Sequence, residues 1–152
     1  MIVVGTTPLD CRGVLLDAVA LHGGPLPVPT SRDKTDPGIV SDDDILAIVE
    51  AQGIDPIGEG DCVFLYTGHG DIWHPSDWDT YDAAEKLRRT VLFNAGEPGF
   101  GISGCEYLAS RKIILTGADS WGVEAVRSEE RRVGKEWRSR WAPEHEKKQR
   151  RT

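Results

Sequence analysis

A helix followed by an apolar strand occurs twice in this chain, and this order constrains the fold more than any other feature. The first helical segment starts after Ser41 and precedes the apolar run 62–67, and the second ends near Ser110 and precedes the run 113–116. Each predicted strand ends in Thr-Gly and continues into a polar loop. We therefore predict an α/β domain. The two loops should lie side by side, because ligands gather at the carboxyl ends of parallel strands.

The first helix carries clear signals at both ends. Ser41 is of the N-cap type, three aspartates follow it at the positive end of the helix dipole, and Gly53 stands where a left-handed residue ends a helix. Its predicted apolar face consists of Ile45, Leu46, Ile48 and Val49. The strand 62–67 is almost continuously apolar, which predicts burial on both of its faces.

Other elements are assigned from local patterns. The segment 14–16 predicts a short buried strand, and the Gly/Pro-rich stretch 23–38 predicts a loop. Apolar residues at helical spacing predict a helix over 82–95: they are Ala84, Leu87, Val91 and Leu92. For the last helix, Ser103 and Glu106 predict a capping box, with Ile102 stapled to Tyr107.

Length and composition exclude several classes of protein. A chain of 152 residues with 39% hydrophobic and 28% charged residues suits one globular domain. No apolar run approaches the roughly 20 residues that span a bilayer. Cys11, Cys62 and Cys105 are an odd number in a chain without an export signal, so we predict reduced thiols and a cytoplasmic location.

The net charge of −7 hides a division between the body and its C-terminal end. Residues 127–152 contain ten Lys/Arg and five Asp/Glu, a formal charge of +5, which leaves −12 for residues 1–126. An acidic body disfavours phosphate binding, because Lys and Arg supply most of the affinity for nucleic acid. Only the basic segment could act as a nucleic-acid arm.

The loop after the first predicted strand could hold a metal ion. His69 and His74 share it with Asp71, Asp77 and Asp79, and histidine with carboxylate suits zinc or manganese. An ordinary solvated loop is the favoured interpretation, because no H-x-x-x-H or H-E-x-x-H spacing is present. The remaining histidines, His22 and His145, stand alone and are expected to face solvent.

The loop after the second predicted strand allows two interpretations. Asp119, Ser120, Trp121 and Glu124 could orient a substrate or brace a metal ligand. Equally, Asp119 could cap the next turn and Trp121 could belong to the core. The glycines form neither G-x-G-x-x-G nor a Walker loop, and no serine stands in G-x-S-x-G. Spacing alone therefore gives an α/β domain without a complete active site.

Several segments, taken in order, resemble the cyclase family of metal-dependent hydrolases related to bacterial kynurenine formamidase. They are "RGVLLD", "EAQG", "GDCVFLYTGHGD" and "NAGEPGFGISGCEYLASRKIILTGADSWGVEAV", and together they span about residues 12–126. The resemblance implies an α/β fold with a mixed sheet and flanking helices, the swivelling β/β/α type, and a homo-oligomer. It also implies hydrolysis of an amide or ester-like bond of a small molecule, as in tryptophan catabolism to kynurenine.

The family's metal-binding motif, H-x-G-T-H-x-D-x-P-x-H, is absent from this sequence, and so are the His and Glu expected further downstream. The zinc or manganese expected for a full-length relative therefore has no ligand assigned here, and no catalytic residue is assigned either. The resemblance places five residues as candidates for the pocket lining: His69, Asp119, Ser120, Trp121 and Glu124. The implied domain is truncated at both ends, so we expect an inactive fragment.

The stretch "RSEERRVGKEWRSRW", which begins at Arg127, interrupts the resemblance. Up to Pro143 it resembles the translation of a short-read sequencing adapter and differs from it only at Trp137 and Ala142. We therefore expect a partial cyclase-family domain over 1–126 and an artefactual, disordered tail over 127–152. The alternative is a small non-catalytic α/β binding protein in which Trp137 and Trp141 of a basic arm stack on nucleic-acid bases.

Overall fold

The computed structural model describes residues 10–73 and 75–127. Nine helices and strands follow one another over this part of the chain: β1 (Gly13–Asp17), α1 (Ala18–His22), β2 (Ile39–Val40), α2 (Asp42–Gln52), β3 (Cys62–Tyr66), α3 (Ala83–Phe93), β4 (Gly99–Phe100), α4 (Ile102–Ser110) and β5 (Leu115–Ala118). Single 3-10 turns lie at Gly70–Ile72 and Trp78–Thr80. Within the described ranges, every helix is too short or too polar to cross a membrane.

Two parallel sheets organise these elements. The larger has the strand order β1-β3-β5, and its register aligns Leu15 with Phe64 and Phe64 with Gly117. The smaller pairs β2 with β4, two residues each. An isolated antiparallel bridge joins Glu97 to Val126. The predicted α/β class is confirmed, whereas the short second sheet was not foreseen from local patterns.

The hydrophobic core lies on one face of the larger sheet. The inward side chains of β1 and β3 are at most 4% exposed and meet α2 and α4. This cluster includes Val14, Leu16, Val63, Leu65, Ile45, Ile48, Phe100 and Leu108. Burial of such apolar area is the main favourable contribution to folding.

The opposite face of the same sheet is open in the described structure. Leu15 is 55% exposed, Phe64 40% and Leu115 43%. The prediction that the strand 62–67 is buried on both faces is therefore wrong for Phe64, although Cys62, on the same face, is buried. The reason is the arrangement of the layers: α2 and α4 pack in the core on the other side, so Phe64, which alternates with the buried Val63 and Leu65, is exposed.

The predicted helix after Ser41 is confirmed by α2. The Ser41 hydroxyl accepts from the Asp44 N–H, the Asp44 carboxylate accepts from the Ser41 N–H, and Gly53 ends the helix at φ +62°. One member of the predicted apolar face differs: Leu46 is 48% exposed, whereas Ile45 and Ile48 are buried.

The predicted capping box of the last helix is wrong. Gly101 is the N-cap of α4, and Ser103 lies one residue inside the helix. The Ser103 hydroxyl instead accepts a hydrogen bond from the Asp42 N–H of α2 at 3.3 Å. Ile102 is 69% exposed and makes no buried staple. The strand that follows begins at Leu115, two residues later than predicted.

The helix predicted over 82–95 is confirmed as α3, with the Asp82 carboxylate accepting from the Glu85 N–H at its start. Its regularly spaced apolar residues do not form a buried face. Leu87 is 64% exposed and Val91 62% exposed. Phe93, at the last position of the helix, is the buried residue.

The prediction of three reduced thiols is wrong for two of them. Cys11 and Cys62 form a disulfide, with their Cα atoms 5.9 Å apart, and Cys105 is free. The register explains the pairing, because Cys62 lies opposite Gly13 and its N–H donates to the Arg12 carbonyl at 2.9 Å. Local sequence could not show this proximity, since 51 residues separate the two cysteines.

The Gly/Pro-rich loop before β2 is organised by one buried carboxylate. Asp36 accepts from the backbone N–H groups and hydroxyls of Thr30 and Ser31, and from the Gly38 N–H. Burial acts to raise the pKa of Asp36, but the hydrogen bonds outweigh it and lower the pKa to about 2. The loop therefore has a fixed path without regular secondary structure.

Candidate functional site

The carboxyl ends of β3 and β5 are joined by a single carboxylate, that of Asp119. Its Oδ1 accepts from the Thr67 N–H at 3.0 Å and from the Thr67 hydroxyl at 2.7 Å. Its Oδ2 accepts from the Gly70 N–H at 3.1 Å. A side chain at Gly70 would collide with Asp119, since a Cβ there would lie 2.9 Å from the Asp119 carbonyl. Asp119 thus fixes the turn that follows β3.

His69 lies within this turn and is 1% exposed. Its N–H donates to the Thr67 hydroxyl at 3.2 Å, and its Nε2 lies 3.2 Å from the Phe93 carbonyl. A carbonyl only accepts, so Nε2 carries the proton in this hydrogen bond. The imidazole also stacks on the Phe93 ring, with centroids 4.9 Å apart and planes 19° apart. This is the environment of a packed and hydrogen-bonded core histidine.

Aromatic rings extend from His69 to the surface. Phe93 lies 5.3 Å from Trp73 and 6.0 Å from Trp121, measured between ring centroids. The ring centroid of Trp73 lies 6.0 Å from that of Trp78, which therefore belongs to the same cluster. Trp121 is 66% exposed and Trp73 is 42% exposed, so two indoles present open surface beside the buried ring of Phe93. Such a surface suits the flat apolar part of a ligand.

A second buried carboxylate supports the turn after β5. Glu97 is 3% exposed, and its Oε2 accepts from the Trp121 N–H at 2.8 Å. The Ser120 hydroxyl donates to the Gly122 carbonyl at 2.7 Å. A Cβ at Gly122 would lie 3.0 Å from Glu97 Oε1, so the turn passes close to this side chain. The Ser120 hydroxyl is therefore bonded within its own turn, and the backbone of Trp121 is fixed by its hydrogen bond to the buried Glu97.

Glu124 does not join these residues. It lines a separate cleft of about 410 Å³, together with Phe100, Ile102 and Cys105, and none of the other four candidates lines that cleft. Burial and the neighbouring Glu124 carboxylate both raise the pKa of the Cys105 thiol. The five predicted pocket residues thus divide into His69, Asp119, Ser120 and Trp121 at one edge and Glu124 elsewhere.

The described residues do not fit a divalent metal ion. Asp71 accepts from the Tyr66 hydroxyl at 2.7 Å, and Asp77 accepts from the Tyr81 hydroxyl at 2.7 Å. Both oxygens of Asp119 and the Nε2 of His69 are engaged by protein groups. Over the described ranges, no group of three or more His, Cys, Asp and Glu residues is placed to hold a metal. His74 and His145 lie outside these ranges.

Three residues that matter here were not identified as site residues from sequence: Phe93, Glu97 and Trp73. Phe93 and Glu97 act on partners 24 residues away, so no local pattern marks them. Trp73 stands in the loop after the first predicted strand, and the tryptophan itself was the available signal.

Comparison with known proteins identifies relatives. A family model described as "Putative cyclase" matches residues 4–125. A crystal structure of a novel cyclase matches with a TM-score of 0.55 and 20% identity, covering 76% of this chain and 33% of that chain. An isatin hydrolase bound to the product analogue thioisatinate matches with a TM-score of 0.48 and 19% identity, covering 76% of this chain and 36% of that chain. The search of curated proteins gave no match. The chain spans about a third of the length of these structures.

Proposed function

The chain belongs to the cyclase family, and we propose that its full-length form is a hydrolase of amide or ester-like bonds, with arylformamidase-like chemistry. The observation that carries this proposal is the edge formed by β3 and β5. There, a carboxylate-braced turn and exposed indoles adjoin each other at the carboxyl ends of parallel strands, where open α/β sheets bind ligands.

In this proposal the chain contributes binding surface rather than reacting groups. Trp121 and Trp73 would contact the aryl part of the substrate, and Phe93 would support them from beneath. Asp119 and Glu97 would hold the two loops in place. His69 would serve as packing, because its imidazole is buried against Phe93.

A divalent metal, zinc or manganese, belongs to the proposal for the full-length enzyme. Such an ion would supply a water of lowered pKa and polarise the scissile carbonyl. Since the described residues do not fit a metal, we propose that this chain by itself neither holds the ion tightly nor hydrolyses the substrate.

The first test is to resequence the source DNA across codon 127 and several hundred bases to either side. A frame that continues with a downstream His and Glu, and that carries H-x-G-T-H upstream, would support both the enzyme and the adapter origin of 127–152. Genomic DNA that encodes "RSEERRVGKEWRSRW" would refute the adapter origin. It would favour the alternative of a nucleic-acid arm, checked by a salt-dependent DNA shift that is lost on deleting 127–152.

The second test compares the two forms of the protein. The 152-residue chain, dialysed against zinc or manganese, should retain far less than one equivalent of metal and show no formamidase or esterase activity. In the full-length form, Trp121→Ala should raise KM about tenfold with a smaller change in kcat, as expected for lost binding surface. Leu46→Ala, on the exposed side of α2, is the matched control. An unchanged KM for Trp121→Ala would refute the proposed binding surface.

Location and partners complete the proposal. We propose a cytoplasmic protein whose partners are a small-molecule substrate and, in full-length form, further copies of itself. The formal charge of −12 on residues 1–126 disfavours the binding of these residues to nucleic acid or to an anionic membrane surface.

A further inference from the structure

The disulfide joins an edge strand to the centre of the larger sheet. Cys11 lies two residues before β1, and Cys62 is the first residue of β3. β1 pairs with β3 on one side, and its other side has no strand partner among the described residues. The bond thus closes a loop that contains β1, α1, β2 and α2, and it fastens the strand that otherwise depends on one ladder of hydrogen bonds.

An ion pair stands directly beside the bond. The Arg12 guanidinium donates to both carboxylate oxygens of Asp61 and to the Pro56 carbonyl. The hydrogen bond from Arg12 lowers the pKa of Asp61, and the Gly58 N–H adds to this effect. The residues next to the cysteines therefore hold the start of β1 against β3 in a second way that does not depend on oxidation.

The two cysteines differ in their exposure to solvent. Cys62 is 1% exposed, whereas Cys11 is partly exposed at the end of the described segment. An external thiolate therefore reaches the Cys11 sulfur first. Cys105 is a poor internal competitor, because burial and Glu124 raise the pKa of its thiol and so reduce its thiolate fraction.

We propose that Cys11 and Cys62 form a reversible thiol–disulfide switch that tightens the attachment of β1 to β3 when oxidised and loosens it when reduced. This inference rests on the proposed cytoplasmic location, since disulfides that form there are usually transient or redox-sensing.

The reductant is a dithiol. One of its thiolates attacks the Cys11 sulfur, the bond between the two protein sulfurs breaks, and Cys62 leaves as a thiolate that takes up a proton. The second thiol of the reductant then attacks the mixed disulfide and releases Cys11. The protein disulfide gains two electrons and two protons, and the dithiol becomes a disulfide.

The experiment uses the purified chain, oxidised with glutathione disulfide or reduced with dithiothreitol under native conditions. Alkylation and mass spectrometry should count one reactive thiol in the oxidised form and three in the reduced form. Hydrogen exchange of the β1 amides should quicken on the order of a hundredfold on reduction, as loss of a cross-link over a long loop implies. Exchange in α3, which lies outside the closed loop, should change far less.

Matched variants separate the switch from other effects. Cys11→Ser and Cys62→Ser should exchange at the fast rate under both conditions, whereas Cys105→Ser should keep the difference. Three reactive thiols after oxidation would overturn the proposal. So would a bond that dithiothreitol cleaves only in denaturant, or equal exchange of β1 in the two forms. These readouts need no hydrolase activity, so their failure is distinct from a failure of the proposed function.

Discussion

The two faces of the larger sheet are built from the same strands and have opposite surroundings. On one face, Leu16 and Leu65 are at most 2% exposed and pack against helices. On the other, Leu15 and Phe64, their neighbours in sequence, are 55% and 40% exposed. Composition cannot distinguish the two faces, because both are apolar. What distinguishes them is which face the helices of this chain cover.

The difference bears on how the sheet is used. Parallel sheets in α/β proteins are normally covered on both faces. Here the covered face determines the stability of the described structure. The edge at which its strands end carries the Asp119 turn, while the open face carries the surface pair of Tyr66 and Asp71. We therefore expect paired substitutions on the two faces to differ in cost.

The largest expected difference is between Leu16→Ala and Leu15→Ala. The first removes a fully buried side chain and leaves a cavity, and it should lower the free energy of unfolding by about 3 kcal/mol. The second removes a half-exposed side chain and should cost well under 1 kcal/mol. Urea denaturation of both variants and the parent chain measures the two values. Equal costs would show that the open face is covered in solution.

Features determined locally could be predicted from sequence. Ser41 and Gly53 flank α2 and Asp44 lies in its first turn, so local chemistry determines where the helix begins and ends. The α/β class followed for a similar reason, because each helix and strand has its own pattern of apolar residues. The quoted segments also identified the family.

Features that depend on distant contacts could not be predicted. The sequence predicts that Ser103 caps a helix, but its hydroxyl accepts a hydrogen bond from the N–H of Asp42, 61 residues away. The exposure of Phe64 depends on where the helices pack, and the Cys11–Cys62 bond depends on strand register. In the candidate site, Asp119 was predicted from its place after a strand. The part played by Glu97 follows only from its hydrogen bond with the Trp121 N–H in the structure.

The second comparison concerns the two carboxylates that follow the strands. Asp119→Asn replaces an acceptor that binds Thr67 and Gly70 with an amide that has one acceptor fewer, and it should cost about 2 kcal/mol. Asp71→Asn removes charge from an exposed pair with Tyr66 and should cost at most about 0.5 kcal/mol. Thermal unfolding of both variants at matched ionic strength gives the order. A larger cost for Asp71→Asn would contradict the role given to the Asp119 turn.

The smallest expected effect is a titration on the open face. The hydrogen bond to Asp71 raises the pKa of Tyr66 above its ordinary value of 10.0. A raised pKa in the folded state means that the stabilising contribution is complete below pH 10 and is lost as the pH rises through the folded value. Ultraviolet absorbance at high pH should therefore show a late tyrosine titration whose amplitude falls by one residue in Tyr66→Phe, and in Asp71→Asn the Tyr66 part should return toward the ordinary value. Tyr81→Phe, which leaves Tyr66 intact, is the control, because Asp77 also raises the pKa of Tyr81. If Asp71→Asn left the late titration in place, the raised pKa of Tyr66 would come from burial and from the charges of Asp119 and Asp17, and the role given to the pair of Tyr66 and Asp71 would be wrong.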